Sequence, residues 1–213
     1  MTNGRPPHDW TETISGEEVD LTTPSAANIR LDDIAHSLSR IARFNGHTLG
    51  DEPYNVALHS VWVAEVLEAE FDSGPLTALF GLLHDAHEAY TGDITSPVKR
   101  TIGHASIAAI QGRLQQVIHV ALGLPDVTGT QARLIAKADQ IALVAEAKVL
   151  MRSGGARWGY PPPPDWAVSK VFPCLHAKRS EALFLETYNR LASECTRTPR
   201  TEMPLYLNLT DKP

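Results

Sequence analysis

The run Leu79-Phe80-Gly81-Leu82-Leu83-His84-Asp85-Ala86 constrains this chain more than any other, because it sets an ionisable His-Asp pair inside an apolar helical stretch. An unpaired carboxylate is costly to bury there, and a bound metal ion would remove that cost. Two further residues share the predicament: His59 in an apolar helical stretch, and Asp139 in Ala136-Lys137-Ala138-Asp139-Gln140-Ile141-Ala142-Leu143. A fold that brings these positions together can build a divalent-metal site.

A length of 213 residues with 43% hydrophobic content allows one domain with a substantial core. The first 28 residues carry no signal-peptide pattern, and no apolar run approaches the roughly 20 residues that span a bilayer. The expectation is a cytoplasmic protein with no membrane partner. Cys174 and Cys195 have no metal-finger spacing and read as reduced thiols. A net charge of -6 argues against a broad footprint for a nucleic-acid polymer, so any anionic ligand must be small and locally held.

The pattern predicts an all-α domain over 29–195, preceded by an arm over 1–28 and followed by a polar tail over 196–213. Alternation from Trp10 to Leu21 predicts a short hairpin in the arm. The first helix should begin at Leu31, where Asp32 and Asp33 favour an N-terminus, and run to about Arg43. A second spans Asn55 to Glu70, and Pro75 opens a third to about Tyr90. The second and third helices carry His59 and His84-Asp85. After the turn-rich Gly92-Asp93-Ile94-Thr95-Ser96-Pro97, helices follow over His104 to Leu122, Thr130 to Met151 and about Pro173 to Cys195. Glycines and prolines in 152–164 cannot continue the Asp139 helix.

On a helix, neighbouring residues point about 100° apart, so His84 and Asp85 can grip an ion lying between them. Glu88 falls one turn further along the same face, placed to contact a water on the ion rather than the ion itself. With His59 and Asp139 the shell mixes nitrogen and oxygen, which suits Mn, Co, Fe or Zn better than Ca. An isolated His-Asp pair would more often be an ordinary surface or core pair.

The whole pattern of His59, His84-Asp85 and Asp139 resembles the HD-domain metal phosphohydrolases. Two flanking segments, Ala42-Arg43-Phe44-Asn45-Gly46-His47 and Tyr90-Thr91-Gly92-Asp93-Ile94-Thr95-Ser96-Pro97-Val98-Lys99, look like those of bacterial 5'-deoxyribonucleotidases and phage dATP triphosphohydrolases. The resemblance implies an all-helical HD-domain bundle with metal ligands His59, His84, Asp85 and Asp139. It also implies that Glu88 is the catalytic carboxylate and Arg43 orients the substrate phosphate, a task suited to a bidentate guanidinium. Arg43 could instead cap a helix C-terminus. By the same likeness Phe44 lies beside the nucleoside, where a related protein has tryptophan, and Asp93 contacts the sugar. Thr95 and Ser96 share that loop, and Lys99 is a candidate for outer phosphates. Their bland alternatives are core packing for Phe44, turn formation for Asp93 and a solvated charge for Lys99.

The resemblance therefore implies hydrolysis of (deoxy)nucleoside 5'-phosphates by attack of a metal-bound water on the α-phosphorus. A triphosphate and a monophosphate are equally allowed, with one transition metal and additional Mg or Co if the substrate is a polyphosphate. His104 and His119 would stand about 22 Å apart on one helix, too far to share a second centre. His87 is read as supporting the site or lying at the surface rather than as a ligand. A cyclic-nucleotide phosphodiesterase of the same superfamily and a non-enzymatic helical binding module are the alternatives; HExxH-type protease spacing is absent. The family likeness also implies a homo-oligomer, with 152–164 as an interface or a lid.

Overall fold

The computed structural model describes residues 9–197. The first eight residues of the expected arm and all but the start of the expected tail lie outside the described residues. The predicted hairpin forms: β1 (Trp10–Glu12) pairs antiparallel with β2 (Glu18–Asp20), with Thr11 opposite Val19. Val19 is fully buried. The turn is anchored to the first helix, where the Ser15 hydroxyl and backbone amide donate to Asp33 at 2.7 and 3.2 Å.

Helix α1 (Leu31–Leu38) is shorter than expected and does not reach Arg43. Its last turn is closed by side chains, because Ser39 Oγ and Arg40 Nη1 both donate to the His36 carbonyl. The chain then runs extended beside the entry to the next helix, with Arg43 N donating to Tyr54 O and Val56 N to Ile41 O. This strap, not a helix end, positions Arg43. Directly after it, Phe44 and Asn45 adopt left-handed φ of 53° and 51°, and Gly46 follows at 75°. Left-handed backbone costs a non-glycine residue roughly 1–2 kcal/mol. Two such residues in succession show that the surrounding contacts hold this reversal in place.

Helix α2 (Val56–Phe71) starts at Asn55, whose side chain caps Leu58 N, and is buried on nearly all sides. A helix apolar all round belongs at the centre of a bundle, and the later helices Pro75–Leu82, Gly129–Leu150 and Ala177–Arg197 all pack on it. Helix α3 (Pro75–Leu82) opens with proline in its first turn, as expected, but stops eight residues before Tyr90 at Leu82. The chain turns tightly through 83–87 and resumes as α4 (Glu88–Thr91). The expected single helix is thus broken at the His-Asp pair. Leu83 leaves helical geometry at ψ 2°, and shorter-range bonds replace the α-pattern, including Ala86 N to Leu83 O and Glu88 N to Asp85 O.

A short α5 (Ser96–Ile102), not anticipated in the turn-rich stretch, begins where Pro97 fits the first turn of a helix. Helices α6 (His104–Ala121) and α7 (Gly129–Leu150) agree with expectation, and a Thr128–Gln131 capping box starts α7. The chain then forms α8 (Asp165–Ser169) after the proline run, and α9 (Ala177–Arg197), which starts later than Pro173. Among the described residues, no helix is long and apolar enough to cross a membrane.

One glycine sets the spacing of the two central helices. A methyl group on Gly81 would overlap the buried Leu67 side chain and touch Val63 on α2. Gly81→Ala should therefore cost about 1–3 kcal/mol by overpacking. Because the Gly81 carbonyl also holds the His84 ring, this variant should lose metal affinity as well as melting temperature. Unchanged values of both would show that α2 and α3 can separate freely.

Candidate metal centre

Three elements converge on one point: α2 supplies His59, the turn after α3 supplies His84 and Asp85, and α7 supplies Asp139. His59 Nε2 lies 3.1 Å from Asp139 Oδ1, and His84 Nε2 lies 3.1 Å from Asp85 Oδ2. The cross separations are 3.8 Å from His59 to Asp85 and 3.9 Å from His84 to Asp139. Ligand atoms bound to one ion at zinc-like bond lengths stand about 3.0–3.4 Å apart, so small closures complete a four-ligand shell.

The hydrogen bonds behind the rings make the same point. His84 Nδ1 donates to the Gly81 carbonyl at 2.8 Å, and His59 Nδ1 meets the Glu146 carboxylate at 2.7 Å. With Nδ1 carrying the proton, each neutral ring presents its Nε2 lone pair to the centre. Both Nε2 atoms are buried and lack a hydrogen-bond partner. Buried polar atoms normally find partners, and a divalent ion satisfies these two and the carboxylates together. The mixed nitrogen and oxygen donors fit a transition ion.

The remaining expected residues surround this centre unevenly. Glu88 is buried, its Oε2 has no hydrogen-bond partner, and with Asp85 and His87 it brings donor atoms within 4.8 Å of one another. Arg43 is also buried; its Nη1 lies 4.0 Å from Asp85 Oδ2 and its Nε donates to Glu146 Oε2 at 3.2 Å. The helix-cap alternative for Arg43 therefore fails. Asp93 lies near enough to Arg43, Asp85 and His59 to feel their charges, and Lys99 approaches it from α5. Thr95 precedes α5 and Ser96 begins it; Ser96 is exposed. The Phe44 ring sits under the Arg43 guanidinium at 5.3 Å and against Trp158 at 6.0 Å, so the glycine-rich segment 152–164 adds an aromatic that the motif did not announce.

His87 is a neighbour of the centre, with Nδ1 bonded to Gln115 Oε1 at 3.2 Å. His119 and His104 both belong to α6; His119 packs on Phe80 and Gln115. The residue that sequence reasoning missed is Glu146, which is fully buried and touches both His59 and Arg43. It lies seven residues after Asp139, about two turns along the same face of α7. A carboxylate within Leu143-Val144-Ala145-Glu146-Ala147 is the same signal that singled out Asp85.

Charge is strongly redistributed here. Burial disfavours the charged form of His84, but Asp85 and Asp139 outweigh it and raise the pKa to about 9. Burial also opposes ionisation of Asp85, yet His84, His59 and Arg43 hold it well below the usual carboxylate range. Glu88 moves the other way: burial first, then Asp85 and Asp93, push it up to about 9. In Arg43, burial is outweighed by Glu146, Asp139, Asp85 and Asp93, so its charge is held more firmly than usual.

These shifts predict how the metal-free protein responds to pH. His84 and Glu88 both bind protons more tightly folded than unfolded, so their contribution is full below the unfolded values and is lost as pH rises through about 9. Melting temperature of the metal-free protein should fall between pH 6.5 and 9. A divalent ion occupies the His84 lone pair in place of the proton and should reduce that fall. A metal-free melting temperature that rises over this interval would contradict the assignment.

Residues 45–145, which include all four candidate ligands and Glu88, match a family model described as the HD domain. The chain is 39% identical over 141 residues to an uncharacterized protein of Rhodobacter capsulatus, covering 65% of this chain and 71% of that one. It is 31% identical over 185 residues to the uncharacterized protein YfdR of Escherichia coli, covering 85% and 94% respectively. With a helical bundle that gathers a His, a His-Asp pair and a distant Asp around one point, the chain belongs to the HD-domain phosphohydrolase superfamily.

Proposed function

We propose that this protein hydrolyses (deoxy)nucleoside 5'-phosphates at the α-phosphorus, either as a triphosphohydrolase or as a 5'-nucleotidase. The observation that carries the reading is Arg43 Nη1 at 4.0 Å from Asp85 Oδ2, beside the candidate metal centre. Asp85 and Glu146 balance the guanidinium charge in place, and Arg43 beside a metal centre offers two neighbouring positive groups that the oxygens of one phosphate ester can bridge.

His59, His84, Asp85 and Asp139 would hold the ion. Bound there, a divalent ion supplies Lewis acidity toward phosphoryl oxygens and lowers the pKa of water. The protein's own groups do the rest. Arg43 neutralises charge developing on the phosphate, and Glu88, buried among acids that favour its protonated form, holds or donates a proton at the reacting oxygen. By the family likeness Asp93 would contact the sugar, which its closeness to Arg43 and Asp85 supports, and Phe44 with Trp158 offers an aromatic wall for the base. Lys99, whose charge reaches Asp93, would meet the outer phosphates when the substrate is a triphosphate. Attack on a triphosphate releases nucleoside and triphosphate; attack on a monophosphate releases nucleoside and phosphate.

The test is a panel of deoxy- and ribonucleoside mono-, di- and triphosphates and cyclic nucleotides with Mn, Co or Mg, with products identified by mass. Nucleoside release from one class is expected. Metal-loaded protein that releases no nucleoside from any of them would overturn the reading, and turnover of a cyclic nucleotide alone would replace it with a phosphodiesterase.

A further inference from the structure

Glu146 is the most completely buried carboxylate among the described residues, and both of its oxygens are used. Oε1 lies 2.7 Å from His59 Nδ1, and Oε2 accepts from Arg43 Nε at 3.2 Å. We propose that Glu146 is a positioning residue that ties the metal centre to the phosphate-binding arginine, setting with one oxygen which nitrogen of His59 faces the ion and with the other the direction of Arg43. The arginine half rests on the hydrolase reading above; the histidine half stands without it.

The geometry separates these roles from simple packing. Seven residues on from Asp139, Glu146 repeats the same helix face two turns deeper, so α7 carries a ligand in front and its support behind. A proton held between His59 Nδ1 and Glu146 leaves only Nε2 to bind an ion, and Nε2 is the atom that points at Asp139. Bonding Arg43 through Nε leaves the two outer nitrogens of its guanidinium free, with Nη1 toward Asp85. Neighbouring α7 positions Ala142 and Ala145 are apolar and buried, so packing alone would be met by an apolar side chain at 146. A buried ion pair is often no more stabilising than an apolar replacement of similar volume, which leaves orientation as its use here.

An amide cannot do both jobs. In Glu146→Gln the NH2 end faces either His59 Nδ1–H or Arg43 Nε–H and loses that hydrogen bond, while the oxygen end keeps its bond without the carboxylate charge, so both contacts are weakened. The experiment titrates metal-free wild-type and Glu146→Gln protein with Co²⁺ alone, following visible absorption, with circular dichroism as the check of fold. A folded variant with Co²⁺ affinity reduced about 10–100-fold is expected. Its KM for the nucleotide that the wild type turns over should rise at least about tenfold at saturating Co²⁺, from loss of a charge-oriented phosphate contact. Co²⁺ affinity within twofold of wild type in a folded variant would overturn the proposal.

If Glu146→Gln does not fold, the Zn-loaded wild-type protein decides the same point by ¹H–¹⁵N spectra of its histidines. A proton on His59 Nδ1 is required, and a proton on Nε2 would overturn the proposal. Neither binding nor spectra use a nucleotide, so failure of the substrate panel leaves the histidine half separately tested.

Discussion

Asp139→Ala should lose bound metal and activity together, whereas Glu88→Ala should lose activity and keep the metal. Asp139 Oδ1 stands 3.1 Å from His59 Nε2 at the convergence of the donor atoms, and its side chain is 42% exposed. Removing it subtracts a ligand while costing the core little. Glu88 sits beside Asp85 with its carboxyl biased toward the protonated form by burial and by two neighbouring acids. Its loss removes a proton-handling group, an effect of about 10²–10⁴ in rate for general acid–base catalysis. Glu88→Gln refines the test, because the amide keeps the shape and a hydrogen-bond-donating end but cannot act as an acid or base. Metal content by elemental analysis and nucleoside release by mass separate these outcomes. Equal metal loss in the Asp139 and Glu88 variants would make Glu88 a ligand and refute its assigned role.

Arg43→Ala should have the largest effect on stability of any substitution at the site, and it should also impair phosphate handling. The guanidinium is buried between Glu146 at 3.2 Å and Asp85 at 4.0 Å. Deleting it leaves the buried Glu146 carboxylate with His59 Nδ1 but without its cation, a loss of about 3–5 kcal/mol where one partner of a buried pair is removed. Arg43→Lys keeps the charge but not the fork, so it should fold and still show a raised KM, because a lysine cannot bond Glu146 through Nε while presenting two nitrogens to a phosphate. Thermal melts and kinetics on the preferred nucleotide check both. Wild-type melting temperature and activity in Arg43→Ala would show that the arginine is dispensable to the centre.

Much of this architecture was legible because its signals are local. Pro75 in the first turn of α3, the polar and apolar periods of α6 and α7, and the alternation around Val19 each reflect forces acting within a few residues. The departures have equally physical causes. Continuous apolar periodicity from Pro75 to Tyr90 cannot reveal a break, since residues in a tight turn and in an α-helix bury the same side chains; hydrogen bonds at Leu83, Ala86 and Glu88 mark the difference. α1 stops early because Ser39 and Arg40 close it with side-chain bonds, an alternative that periodicity does not register.

By itself the sequence determined that His59, His84, Asp85 and Asp139 needed compensation, because each is an ionisable group in an apolar helical context. It also carried the family resemblance, through residues adjacent to that pattern. Only the tertiary structure decided that Arg43 turns inward to a buried carboxylate, that Trp158 joins Phe44 from a distant segment, and that Glu146 links His59 with Arg43. Those contacts join residues far apart in the chain. Local pattern can report that a buried charge must have a partner, but which partner it meets is set by how the helices pack.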